Sequence, residues 1–324
     1  MLIGHQKQWR FLRKSVELGK ISHSFLFFGQ SQLGKNFLAL EFIKLLNCQN
    51  DLLQKRPCQV CRSCQDIEKR QHPDLLLVKP RDKEIQISQI RELTNRLSLR
   101  PFMSPFKAAI VDQAHSMSQE AQTALLKTLE EPKGNAVLIL ITEYPEMLFP
   151  TILSRVQKIK FYPVKKKEIE DYLSQKGCPQ DKIKLISSIS FGKPGAALNF
   201  LLNSEILKAE HQKIADLIKI TADRPDLISR FQYAKRITQK TIESPKDQSR
   251  EILESWLRYF RELFLIYSGV ISHSEGYPEL QKVYKRYSLS KLREIIEMLQ
   301  KIIFFLSTTN INPKLALEML MLEL

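Results

Sequence analysis

Residues 25–36, FLFFGQSQLGKN, decide how the rest of the chain is read. Phe25 to Phe28 form an unbroken apolar run, the mark of a strand covered on both faces in a parallel sheet, and Gly29 ends it. Gly34 and Lys35 follow, and then FLALEFIKLL, which predicts a helix. Strand, glycine loop and helix in that order indicate an α/β fold. Backbone N–H groups at the helix N-terminus, with a lysine ammonium, form a nest for a polyphosphate. The pattern fails at its last position: where such a loop carries Ser or Thr to set a hydroxyl on Mg2+, this chain has Asn36. Gly29, Gly34, Lys35 and Asn36 are therefore expected to hold phosphate without supporting efficient hydrolysis. A Gly-Lys pair in an ordinary strand-to-helix turn reads the same over so short a stretch, so the surrounding chain has to decide.

Working outward, residues 107–115, KAAIVDQAH, repeat the theme of a buried strand with an acid, Asp112, at its C-terminal end. In phosphate-loop nucleotidases an acid here holds Mg2+ and a following Glu activates water; Gln113 orients a water but cannot take its proton. Leu75 to Val78, Ala136 to Thr142 and Lys158 to Tyr162 read as further strands. Helices are predicted over residues 6–20, ending at Gly19 with Trp9, Leu12, Val16 and Leu18 on its apolar side, and on the Ile87, Ile90, Leu93, Leu97 spacing. Another, carrying Ala121, Ala124, Leu125 and Leu129, is expected to be capped by Ser116 or Ser118 and to stop before Pro132, with Gln119 spaced as a capping-box partner of Ser116. From about Ser204 onward only helices are expected, with Ile252, Trp256, Leu257, Phe260, Leu263 and Phe264 on one stripe. Leu292, Ile295, Ile296, Leu299, Ile302 and Ile303 form another.

Cys48, Cys58, Cys61 and Cys64 stand as C-x9-C-x2-C-x2-C directly after the loop helix. Thiolates at these spacings converge on one tetrahedral ion, and four give the closed ligand set of structural zinc; an iron–sulfur cluster uses the same donors. Cys178 stands apart and is expected to be a small buried residue, and His23 has no chemical partner near it in sequence. Fifty Lys and Arg against 35 Asp and Glu give +15, which suits a polyanionic partner as well as a solvated surface. No apolar run reaches the ~18 residues of a membrane span, and MLIGHQKQWR lacks the apolar core of a signal peptide, so a cytoplasmic location is expected.

The order of these parts, with HPDLLLV, IVDQAH, ALLKTLEEP, LIT, TILSR, SFGKPGAALNF (190–200) and INPKLALEMLMLEL (311–324), resembles the bacterial DNA polymerase III clamp-loader subunits of the AAA+ class. The resemblance implies an α/β domain over 1–162 with a zinc module at about 48–64, a helical lid over 163–203 and a helical collar over 204–324. It also implies a degenerate nucleotide site of Gly29, Gly34, Lys35, Asn36, Asp112 and Thr142, with occupancy by ATP or ADP in doubt, and an arginine finger, Ser154-Arg155, reaching a neighbour's site. Val156 replaces the Cys that usually follows. In motor subunits of the family, gamma or tau, the lid helix carries a phosphate-contacting arginine; Gly195 stands there in GKPGAAL. Asn36, Gln113 and Gly195 together resemble the delta-prime kind, which does not hydrolyse ATP. No intrinsic ATPase is then expected in what would be a subunit of the DNA-directed DNA polymerase III holoenzyme.

The implied partners are gamma/tau and delta subunits in a hetero-pentameric ring, the sliding clamp and, through the complex, primed DNA. The competing readings are an active gamma/tau-type ATPase, disfavoured by those three residues and by a C-terminus expected to lack tau-like extensions, and a zinc-dependent nucleic-acid module. Against the latter, no aromatic residues interleave with the basic ones around Cys48 to Cys64.

Overall fold

The computed structural model describes residues 2–81, 84–131, 134–222, 227–239, 245–270, 287–309 and 311–324. Pro132, expected to stop a helix, lies outside them. The chain divides into two compact units, Met1–Ile169 with Gly192–Gly195, and Glu170–Phe191 with Ala196–Leu324.

The first unit is built on a five-stranded parallel sheet of β1 (Ser24–Phe28), β2 (Leu75–Val78), β3 (Lys107–Val111), β4 (Ala136–Thr142) and β5 (Gln157–Lys160), in the order β2-β3-β4-β1-β5. Apolar runs become strands here because both faces are covered. Successive side chains point to opposite faces, so Phe25, Phe27, Ala108, Ile110, Val137, Ile139 and Ile141 join one core with helices α1 (Gln6–Glu17), α2 (Lys35–Asn47) and α3 (Arg62–Glu68). Leu26, Ala109, Val111, Leu138 and Leu140 join the other with α4 (Ile87–Leu97), α5 (Gln119–Glu130) and the short α6 (Pro150–Leu153). Each fully buried Leu or Phe of these layers contributes about 1.5–3 kcal/mol.

Several boundaries differ from the sequence reading. α1 stops at Glu17, with Gly19 in the left-handed region as expected, and Leu18, past the last turn, is exposed. β5 ends at Lys160, leaving Tyr162 outside the sheet and exposed. Of the two serines offered as caps for α5, Ser118 does it, accepting from the Ala121 N–H at 3.2 Å. Ser116 instead closes a 3-10 turn over Ala114–Ser116 that begins at the left-handed Gln113, so its box with Gln119 does not form.

The second unit is helical throughout its described residues. It takes in α7 (Lys166–Gln175) from Glu170 onward, α8 (Gln180–Ile189), α9 (Pro194–Leu202) from Ala196, α10 (Ser204–Ala222), α11 (Leu227–Gln239), α12 (Pro245–Tyr267), α13 (Leu289–Thr308) and α14 (Pro313–Glu323). α12 packs along α13, with Phe260, Leu263, Leu292, Ile295 and Leu299 buried, while Trp256 stacks on Tyr233 of α11 and donates to Lys213 O of α10 at 3.3 Å. Leu257, Phe264 and Ile296 are only half-buried, and Leu253, Tyr259 and Leu306 complete the core in their place. α10 is keyed to α12 by the buried Glu210, which accepts from Arg258 and, at 2.7 Å, from Ser255 Oγ. A buried pair of this kind fixes which turns face each other more than it adds stability. Cys178 is half-exposed rather than buried, because it lies in the turn between α7 and α8. Among the described residues no helix is long and apolar enough to cross a membrane.

Candidate nucleotide-type site, arginine end and cysteine cluster

Strand register assembles the first site. Phe28 pairs with Thr142 and Val111 with Leu140, so Gly29, Asp112 and Thr142 all emerge at the C-terminal ends of neighbouring strands, where open parallel sheets bind ligands. Gly29 has φ 140°, and a Cβ there would lie 2.5 Å from the Phe161 carbonyl oxygen; only glycine fits. Gly34, also left-handed, caps the N-terminus of α2, and a cleft of ≈ 280 Å3 opens beside it, lined by Lys35, Asn36, Asp112, Thr142, Glu143 and Gly195.

The predicted groups meet there, but they are engaged with one another. Lys35, 6% exposed, donates its ammonium to the loop's own carbonyls, Gly29 O at 2.6 Å and Gln30 O at 2.5 Å. Burial pushes its pKa down to about 8, against the raising influence of Glu143 and Asp112, while Lys193 adds to the lowering. Asn36 Nδ2 donates to Asp112 Oδ2 at 3.2 Å, and the Gln113 backbone N–H donates to Asp112 Oδ1 at 3.1 Å. Both carboxylate oxygens that a divalent cation would use thus accept from the chain itself. The Gln113 side chain is exposed. Thr142 Oγ1 bonds His115 Nδ1 at 3.0 Å and accepts from the Tyr144 N–H at 3.0 Å.

Gly195 does more than lack an arginine. Its N–H donates to Gln32 O at 2.8 Å, and a Cβ on it would come within 2.9 Å of that oxygen and 3.2 Å of Gln32 Cα. Gly195 therefore rests directly on the phosphate loop. Glu143, His115, Gln32 and Lys193 were not singled out from sequence. Glu143 was within reach of the rule that found Asp112, since it directly follows a strand.

Arg155 lies at the opposite end of the sheet. Ser24 Oγ, at the start of β1, donates to Arg155 O at 2.9 Å, so the residue sits a full strand length, about 13–17 Å at 3.3 Å per residue, from the loop that follows Phe28. Arg155 cannot serve its own chain's phosphate loop. Its Nη1 donates to Thr151 O (2.9 Å) and Ser154 Oγ (3.3 Å), and its Nη2 pairs with Glu130 Oε1 at 2.8 Å. Val156, in place of the family's Cys, is a buried core residue. At this same end His72 and Asp74, both buried, precede β2. The Asp74 N–H donates to His72 Nδ1 at 3.1 Å, which puts the ring proton on Nε2, 3.0 Å from Ser104 Oγ. Asp74 in turn accepts from the N–H groups of Phe102, Met103 and Ser104. Burial lowers the His72 pKa, against the raising influence of Asp74 and Asp66. His23, read as structural, bonds Leu129 O at 3.0 Å.

The four cysteines converge with every Sγ within 4.8 Å of the others, positioned to hold a metal ion. Tetrahedral thiolates at about 2.3 Å from an ion lie about 3.8 Å apart, and Cys48 and Cys61 are 4.0 Å apart. Backbone N–H groups of Cys58, Cys61 and Cys64 donate to the sulfurs of Cys48, Cys58 and Cys61 at 3.3 to 3.4 Å. Those of Cys61 and Val60 lower the Cys58 pKa to about 6; burial raises those of Cys48 and Cys64. Buried Lys44 on α2 ties the module down, bonding Glu41 (2.7 Å), Gln59 (2.9 Å) and Glu68 of α3.

Comparison with known proteins adds the following. The family described as "DNA polymerase III, delta subunit" matches residues 4–165, half of the chain. The delta-prime subunit of Bacillus subtilis DNA polymerase III is 29% identical over 303 residues, covering 89% of this chain and 85% of that one. The delta-prime subunit of Pseudomonas aeruginosa is 35% identical over 136 residues, 41% of each. The tau subunit of Bacillus subtilis is 24% identical over the whole of this chain, which spans 60% of tau's length.

Proposed function

This chain belongs to the DNA polymerase III delta-subunit family, and from that premise we propose that it is a non-hydrolysing, delta-prime-type subunit of a clamp loader. It stands in a ring with gamma/tau- and delta-type subunits, supports ATP-dependent seating of a sliding clamp on primed DNA, and donates Arg155 to a neighbour's nucleotide site. The observation that carries this reading is Asp112: the acid that would hold Mg2+ accepts from Asn36 and from the Gln113 N–H, so its cation is replaced by donors of the same chain. Gln113 provides no base, and Gly195 leaves no room for an arginine against Gln32. At the other end Arg155 keeps the fixed charge and forked donors that stabilise charge on a transferring phosphoryl group. Ser154 holds that fork through its Oγ.

Zinc is the ion that best suits four convergent cysteines whose sulfurs need only a small inward shift, and its role there is structural. In this reading the helices of the second unit supply the lid and the collar that joins the ring. The test is ATP hydrolysis by a loader reconstituted with its gamma/tau- and delta-type partners. Arg155→Ala in this chain is expected to slow the site that it faces by about 10³-fold or more, and the chain alone to show no turnover.

A second reading, an active gamma/tau-type ATPase, is favoured by the intact Gly29, Gly34 and Lys35 and by the match of the whole of this chain to part of tau. Robust turnover by the chain alone, abolished by Lys35→Ala, would establish it in place of the first.

A further inference from the structure

We infer that Glu130 is a positioning residue for Arg155, an inference that rests on the trans role proposed above. Glu130 is the last residue of α5 and Glu131 its C-cap, so two acids stand where a helix end favours cations. Local preference does not explain an acid there. Arg155 does, because its Nη2 meets Glu130 Oε1 at 2.8 Å.

The rest of Arg155 is fixed by the same logic. Its carbonyl is held by Ser24 Oγ, and its chain neighbours Ile152 and Val156 are buried in the core between the sheet and α5. Nη1 is shared between Thr151 O and Ser154 Oγ. Nη1 spends both of its N–H groups on those two oxygens, whereas among the described residues Nε–H has no acceptor and Nη2 keeps one N–H beyond the Glu130 pair, so the guanidinium is aimed without being used up. Both partners are substantially exposed, 36% for Arg155 and 50% for Glu130. A pair this exposed is weak and exchanges readily, which suits an arginine that has to reach a phosphate carried by another subunit. Glu130 thus limits the orientations that Arg155 samples before and during docking against the neighbour's polyphosphate.

The test uses rings in which only the site facing Arg155 can turn over. Glu130→Ala is expected to lower kcat for ATP about 2- to 5-fold, the worth of an exposed pair, with KM for ATP and the assembled fraction unchanged. Glu130→Gln, which keeps an oxygen acceptor, is expected to lose less. In an Arg155→Ala background, Glu130→Ala is expected to change nothing further, and its melting temperature to stay within about 2 °C of the parent. An unchanged or raised kcat in Glu130→Ala, beside a strong loss in Arg155→Ala, would overturn the positioning role and leave the trans finger standing. Additive losses in the double variant would overturn it as well. Arg155→Ala without effect would remove the finger itself, and Glu130's role with it.

Discussion

The two ends of the parallel sheet carry the residues that the proposed function assigns to the two halves of an ATPase apparatus, and they are held in opposite ways. At the C-terminal end the groups that would bind nucleotide and metal are turned on one another: Lys35 to the loop carbonyls, Asn36 and the Gln113 N–H to Asp112, Gly195 to Gln32. At the N-terminal end Arg155 sits at the surface on exchangeable partners, its backbone fixed by Ser24 and its neighbours by the core. In the proposed reading, the loop end is closed by contacts within the chain, while Arg155 remains accessible to a neighbour.

The largest expected perturbation asks whether the ends are independent of the cysteine cluster. α2 carries Lys35 at its first position and leads into Cys48 at its C-cap. Apparent metal-binding free energies at structural thiolate sites reach about 10–16 kcal/mol, so chelation should abolish amide protection across 48–64. Hydrogen exchange is expected to show protection kept at β1, β4 and the Arg155 turn. Loss of protection throughout the sheet would mean that the ends share one support.

A smaller effect separates the ends chemically. Asn36→Asp removes a donor from Asp112 and places a like charge about 3 Å from it, costing about 1–3 kcal/mol near neutral pH. Millimolar Mg2+ should restore that stability by bridging the two carboxylates, with Arg155-dependent hydrolysis unaffected. Indifference to Mg2+ would mean that the Asn36 amide does not stand in a cation's place.

pH also distinguishes the ends, because one of them answers in an alkaline window as well. Lys35 has a folded pKa of about 8 against 10.5 in the unfolded chain. As pH falls from 10.5 towards 8 only the unfolded state takes up the proton, so this group's contribution to stability declines across that window and is level below it. His72 is lowered from 6.5, so its penalty starts as pH falls through 6.5, when the unfolded chain protonates first. Acid should therefore loosen the amides of 102–104, held through Asp74 and Ser104, and also tug at the phosphate loop through His5, a second histidine lowered by burial, which bonds Leu33 O at 2.8 Å; only the alkaline window is particular to the Lys35 loop. Exchange rates at both segments across pH 5–10 check this; a change at 102–104 matching that of the loop between pH 8 and 10 would contradict it.

Much of the fold was legible because a parallel sheet covered on both faces demands continuous apolar runs, and Phe25–Phe28, Leu75–Val78 and Ala136–Thr142 supply them. The same rule placed Asp112 and Thr142 at strand ends. What sequence hid were pairings between residues distant along the chain: Asn36 with Asp112, Gly195 with Gln32, Glu130 with Arg155. Spacing carries no signal for such contacts; they arise from strand order and register. The choice between Ser116 and Ser118 turned on one left-handed residue, Gln113, which no propensity announces. The cysteine set was the reverse case, since its spacing alone predicted the convergence of four sulfurs.

The most direct measurement compares two variants of this chain in one reconstituted loader, Lys35→Ala at one end of the sheet and Arg155→Ala at the other, by their rates of clamp- and DNA-stimulated ATP hydrolysis. The account predicts a rate unchanged by Lys35→Ala and loss of turnover at the facing site with Arg155→Ala. A loss with Lys35→Ala as large as that with Arg155→Ala would contradict it, because the phosphate loop would then be a working part of the motor.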